Sequence, residues 1–321
     1  MHFDASLADA QIILNTMYAV AATAAVTDAD RASIVAAARY LFRLDMSPEL
    51  PGVESVRAGE LREVASRPEF AAEVVRFATV MAVTDGEPNH TKLKAVLRIA
   101  AALGIREDFV DDVKALAQEH LHDAICHIVR AKLPTISAEA WATDEILPRF
   151  MPYRGGRGDP GLAARFRALA ELPPDTFGHA FAAFYRENNY GFPGEETALG
   201  FGFAAPHDSS HVLAGFDVSL CGELLVSSFI AAMHPSHAMA GHVLPVIFSW
   251  YLAVALNDTA SAAKSILDPE AFWRAWVRGQ SMKVDLFGPS WNFWAATVEP
   301  IELVRAQVGL APEPESATAN A

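Results

Sequence analysis

The chain has 321 residues, with 25 Lys or Arg against 39 Asp or Glu and a formal net charge of −14. That balance argues against a nucleic-acid partner, whose phosphates need clustered cations, and against plain electrostatic adhesion to anionic lipid. The length suffices for two cores. Cys126 and Cys221 fall in different predicted halves, so no disulfide is expected and the setting reads as reducing.

Ala, Leu and Val abound and strand-like alternation is scarce, so the predicted class is all-α, arranged as two helical domains. The first, residues 1–132, reads as successive amphipathic helices at 6–25, 30–44, 56–66, 68–83, 91–103 and 108–131, with Pro48-Glu-Leu-Pro-Gly52 breaking the chain after the second. The opening residues carry acids rather than a basic leader, so no signal peptide is expected. A short motif recurs: Ala25-Val-Thr-Asp-Ala-Asp30 parallels Ala82-Val-Thr-Asp-Gly-Glu87, each ahead of a helix. Aspartates at alternate positions invite a calcium loop, which needs Gly at position six and Glu at twelve. Counting from Asp28 gives Ser33 and Arg39, and from Asp85 gives His90 and Val96, so that reading fails. Asp28 and Asp85 are expected to cap helices instead. His120, Asp123 and His127 share one predicted helix face; no further ligand accompanies them, and they read as surface residues.

Residues 133–161, rich in Pro, Gly and charge, form the predicted linker, with a short helix at 137–146. Residues 162–312 form the second domain. Helices at 162–172 and 175–188 and the turn cluster Asn188-Asn-Tyr-Gly-Phe-Pro-Gly194 lead to the stretch that carries chemistry, His207-Asp-Ser-Ser-His211-Val-Leu-Ala-Gly-Phe-Asp-Val-Ser-Leu-Cys-Gly-Glu223. On a helix, His207, Asp208 and His211 fall within about a 100° arc. Two imidazoles one turn apart with a carboxylate beside them can serve a divalent ion. On an unbroken helix Glu223 would stand roughly 18 Å further along, at about 1.5 Å per residue, and turned away. Gly215 can end the first helix, and Asp217 or Ser219 can cap a second that returns Glu223 to the others. Ligand-type residues inside so apolar a hairpin are costly unless something pairs them. The predicted metal ligands are His207, Asp208, His211 and Glu223, with a mutually satisfied structural network as the alternative, and Cys221 reads as a small core residue.

Beyond the hairpin comes a helix at 225–233. His237 and His242 read as caps or solvent-facing residues, with a hydrogen bond to a metal ligand as the alternative. The apolar run at 243–256 is interrupted by Pro245 and Ser249. It is shorter than the roughly 20 residues that cross a bilayer, so it reads as a buried helix or a lipid-facing groove wall. Residues 272–294 are strongly aromatic, mostly as core, and also suited to lie against an isoprenoid tail. Arg274, Arg278 and Lys283 are the nearby cations that could receive an aromatic carboxylate. The tail at 313–321 reads as disordered.

The pattern His-Asp-x-x-His, eleven residues, then Glu resembles the signature of the coenzyme Q (ubiquinone) biosynthesis Coq-four family. Flanking blocks at Leu172-Pro-Pro-Asp-Thr-Phe-Gly-His-Ala-Phe-Ala-Ala-Phe184, Ala275-Trp-Val-Arg-Gly-Gln-Ser-Met-Lys283 and Pro300-Ile-Glu-Leu-Val-Arg-Ala-Gln-Val-Gly-Leu310 are similar too and come in the same order. The resemblance spans about residues 160–312. Where that family carries an Arg/Glu-rich stretch before the first His, this chain reads Gly202-Phe-Ala-Ala-Pro206. More loosely, the repeated acidic turns resemble the tellurite-resistance TerB-like family of helical bundles.

The first resemblance implies a ubiquinone-biosynthesis protein that decarboxylates and hydroxylates a polyprenylated aromatic ring. It implies a divalent metal held by the four ligands, Zn²⁺ first, with Mn²⁺ and Fe²⁺ open because two ligands are carboxylates. It also implies an isoprenoid lipid as ligand, other quinone-biosynthesis enzymes as partners, self-association as an option, and a cytoplasmic location with peripheral attachment to the inner membrane face. Two other readings stay open: a non-catalytic prenyl-lipid binder or scaffold, and a TerB-like metal or stress-response protein.

Overall fold

A computed structural model describes residues 6–84, 89–106, 110, 113–114, 152–153, 155–234 and 268–310. The described residues form helices and turns with no strand; an isolated bridge pairs Thr176 with Pro300. The all-α expectation is met. In the first half the helices are α1 (Leu7–Ala21), α2 (Asp28–Phe42), α3 (Ala58–Ala65), α4 (Pro68–Val83) and α5 (His90–Leu103). The second half holds α6 (Pro160–Arg167), a 3₁₀ turn (Ala168–Glu171), α7 (Phe177–Glu187), α8 (Phe201–Ala214), α9 (Leu220–Met233), α10 (Pro269–Gln280), α11 (Phe293–Ala296) and α12 (Ile301–Val308).

Local chemistry sets the boundaries. Ser6 caps α1 by accepting from the Asp9 amide. α6 begins inside the predicted linker because Asp159 caps it, accepting from the Leu162 amide, while Pro160 occupies the first helical position with its ring already set for helical φ. Asp268 and Pro269 repeat that device at α10. α2 corrects an expectation: Thr27, not Asp28, is its cap. The Thr27 hydroxyl accepts from the Asp30 amide and the Asp30 carboxylate accepts from the Thr27 amide, a reciprocal capping box. Asp28 lies in the first turn, where its charge faces the positive helix end. Asp85 lies outside the described residues; the cap of α5 is Asn89. His120, Asp123, His127, His237, His242, Cys126 and the runs 137–146 and 243–256 also lie outside them.

Asp30 has a second role. Lys92 on α5 donates to both its oxygens, at 2.7 and 2.9 Å, and both side chains are 0% exposed. The acid of the first loop is thus matched inside the bundle.

Two apolar clusters share the layer made by α9 and α10. Leu224, Ala231, Ala232, Phe272, Trp273 and Trp276 pack with α1, α2, α4 and α5. Val226, Phe229, Ile230 and Ala275 pack with α7, α8 and α12. Trp273 stacks on Phe77 at 5.3 Å and donates to the Ser33 hydroxyl at 3.0 Å. These aromatics are core between the two halves. In the second cluster Phe166 meets Phe181, Phe192, Phe201, Phe293 and Trp294. Phe177 N–H donates to Glu299 and Ile301 N–H to Asp175, which ties the start of α7 to the start of α12. Among the described residues no helix is long and apolar enough to cross a membrane.

Removing one member of a buried ion pair strands the other, at a cost of about 3–5 kcal/mol. Lys92→Met is expected to lower unfolding free energy by that amount in urea titration.

Candidate metal centre

The hairpin folds as its punctuation requires. α8 ends at Gly215, whose φ of 76° is left-handed and open to glycine without strain. Asp217 then accepts from both the amide and the hydroxyl of Ser219, and Ser219 in turn caps α9 by accepting from the Gly222 amide. Gly222 lies so close to the Asp217 backbone and carboxylate that a Cβ there would collide with both. Glu223 consequently sits in the first turn of α9, back against α8.

His207, His211 and Glu223 each offer one donor atom, and the three atoms lie within 4.8 Å of one another. His211 Nε2 is 3.6 Å from Glu223 Oε1 and His207 Nε2 is 4.0 Å from Oε2. A tetrahedral ion with bonds of about 2.0–2.2 Å holds its ligands roughly 3.3–3.6 Å apart. The spacing therefore needs only a small closure.

Each ring is locked by its other nitrogen. His211 Nδ1 lies 3.1 Å from the Phe216 carbonyl and His207 Nδ1 lies 3.0 Å from Asp208 Oδ1. Both partners only accept, so both rings carry Nδ1–H and turn the Nε2 lone pair toward Glu223. Phe184 stacks on His211 at 5.4 Å and Phe203 on His207 at 4.8 Å. His211 is 1% exposed, and its Nε2 is buried without a hydrogen-bond partner. A buried, unsatisfied acceptor costs about 1–3 kcal/mol. A cation at that point removes the cost, and the donor set (two imidazoles and a carboxylate) suits Zn²⁺ and its first-row neighbours.

Asp208 stands beside this cluster. Its Oδ1 takes His207 Nδ1–H, and its Oδ2 accepts from the Tyr185 hydroxyl at 2.5 Å. Of the three cations, Arg278 lies with its guanidinium carbon 5.3 Å over the Phe216 ring. Arg274 is exposed, and its charge acts on Tyr40 of the first half. Lys283 is exposed and lies against Gly309, beyond the end of α12, with its amide donating to Val308. Neither is brought to the cluster. Cys221 is a half-buried thiol outside it; burial, then the charges of Asp268 and Asp217, push its pKa up.

Tyr185 and the Phe216 carbonyl were not anticipated. Tyr185 directly follows Phe184, whose ring stacks on His211, and its polar tip on an otherwise apolar helix face was the available signal. The carbonyl leaves no trace in residue identity. No family model matches the chain, and no curated protein or solved structure matches it either.

Burial alone pushes the His211 pKa down. The Glu223 carboxylate facing Nε2 outweighs it, with the Asp208 charge and the Phe216 carbonyl adding to the rise, and the net direction is up from 6.5. Metal must displace that proton. Zn²⁺ affinity, read by competition with a chromogenic chelator, is expected to level off above the raised value and to fall by up to about tenfold per pH unit below it. The metal-free protein runs the other way. Stability from protonated His211 is complete below about 6.5 and lost as pH rises through the raised folded value, which melting in EDTA across that range checks.

Proposed function

We propose that the chain is a metal-dependent protein of ubiquinone biosynthesis, processing a polyprenylated aromatic ring intermediate by decarboxylation and hydroxylation. One observation carries the reading: two imidazole Nε2 atoms, one of them buried, and the Glu223 carboxylate converge across a helical hairpin at the spacing of the Coq-four signature. The similar blocks around 172–184 and 300–310 also meet in space, through Phe177, Glu299, Asp175 and Ile301.

His207, His211 and Glu223 would hold the ion, with Zn²⁺ first and Mn²⁺ or Fe²⁺ as alternatives. When bound, it supplies Lewis-acid polarisation of a ring phenolate or carboxylate. The chain's own residues do the rest. Phe184 and Phe203 hold the rings and keep water from their faces. Arg278, over the Phe216 ring, is the candidate cation for an anionic ring substituent. An isoprenoid ligand would bring the protein to the face of a membrane, where other quinone-biosynthesis enzymes are the expected partners.

A prenyl-lipid binder or scaffold is the second reading. It is favoured by Phe203, Ala204, Ala205 and Pro206, a buried apolar turn where the family carries charge. A TerB-like metal or stress-response role for the first half is a third reading; Asp30 of its first acidic turn is paired with Lys92.

His211→Ala separates these readings. In a complementation strain it is expected to abolish quinone production, while the purified protein keeps its helicity and still binds prenyl lipid. Undiminished quinone production would contradict the catalytic reading, and metal analysis of untagged protein identifies the ion.

A further inference from the structure

A carboxylate next to a histidine in sequence does not ordinarily face it on a helix, since neighbours are about 100° apart. Asp208 nevertheless accepts from His207 Nδ1 at 3.0 Å, so the His207 ring is turned with its Nδ1 edge aside and its Nε2 toward Glu223. Asp208 is itself 6% exposed, and a carboxylate so placed needs donors on both oxygens. The donor on its far side is the Tyr185 hydroxyl, 2.5 Å from Oδ2.

Tyr185 is well fixed. It projects from α7, a different element from either arm of the hairpin, and is 2% exposed. Its ring lies between Phe181 at 4.9 Å and Phe192 at 5.0 Å, the latter pair within 4° of parallel, with Tyr190 edge-on at 6.0 Å.

We propose that Tyr185 is a positioning residue for the metal centre: through Asp208 it sets the tautomer and angle of His207, and it keeps Asp208 beside the ion as an orienting group instead of a ligand. The inference rests on the metal reading of His207, His211 and Glu223. It leaves three protein donors and a position open to water or substrate, the arrangement of a catalytic rather than a structural zinc site. The Tyr185–Asp208 contact joins α7 to α8, so the packing of the second core is coupled to the direction of one donor lone pair.

The test uses the full chain, with Zn²⁺ affinity read by chelator competition and Co²⁺ absorption read in the visible. Tyr185→Phe keeps the stacked ring and removes the hydroxyl. It is expected to weaken Zn²⁺ binding about 10–100-fold, the usual cost of losing a group that orients a ligand, and to alter the visible spectrum of the Co²⁺-saturated protein. Asp208→Asn is expected to weaken binding to a similar degree, and the double variant no more than the weaker-binding single one, because both act through the same ring. Melting in EDTA reports separately on whether each variant folds. Wild-type affinity and an unchanged Co²⁺ spectrum in a folded Tyr185→Phe protein would overturn the proposal, as would losses that add in full in the double variant. Failure of the metal reading looks different: the wild type then binds no more Zn²⁺ than Glu223→Gln, and the positioning role falls with it.

Discussion

The second half of this chain is built around a buried imidazole nitrogen whose nearest polar partner is a carboxylate just beyond hydrogen-bond distance. His211 Nε2 faces the Glu223 carboxylate from 3.6 Å, inside a setting of phenylalanine and aliphatic side chains. Such a nitrogen, next to a carboxylate and a second imidazole, is unfavourable in a dry interior unless a proton or a cation joins them. The surrounding features serve that convergence. Gly215 turns the chain, Ser219 restarts the helix, Gly222 permits the tight contact with Asp217, and the Phe216 carbonyl and Asp208 aim the two rings.

The carboxylate side of the centre is held from elsewhere. α9 carries Glu223 in its first turn, and the next residue, Leu224, already belongs to the core shared with the first half. α10 lies along α9 and sets Trp273 between Phe77 and Ser33 of α4 and α2. The first half thus acts as a wall behind α9, and its own rigidity draws on the Asp30–Lys92 pair.

Much of this was legible in residue order because it depends on local rules. Helix periodicity located α1 to α5 and α7 to within a few residues, and glycine followed by a cap residue located the hairpin break. The return of Glu223 to the histidines follows from those same rules. Thr27 and Asp28 are both good cap residues one position apart, and only the reciprocal bond with Asp30 decides for Thr27. α6 starts early because Asp159-Pro160 is a start signal inside a segment whose overall composition reads as linker. Long-range partners were beyond reach: Lys92 for Asp30, Tyr185 for Asp208 and Asp285 for His234 lie 62, 23 and 51 residues away. Asp208 shows the limit most clearly: its place on the helix face suits a ligand, and its hydrogen bond with Tyr185 on another helix leaves no trace in local spacing.

The most direct test of the account is anomalous diffraction from crystals of the full chain grown with Zn²⁺ and recorded on both sides of the zinc edge. The account requires a peak bonded to His207 Nε2, His211 Nε2 and a Glu223 oxygen, with Asp208 still on His207 and Tyr185. A hairpin without a zinc peak, or one whose Glu223 points away from both rings, would contradict it.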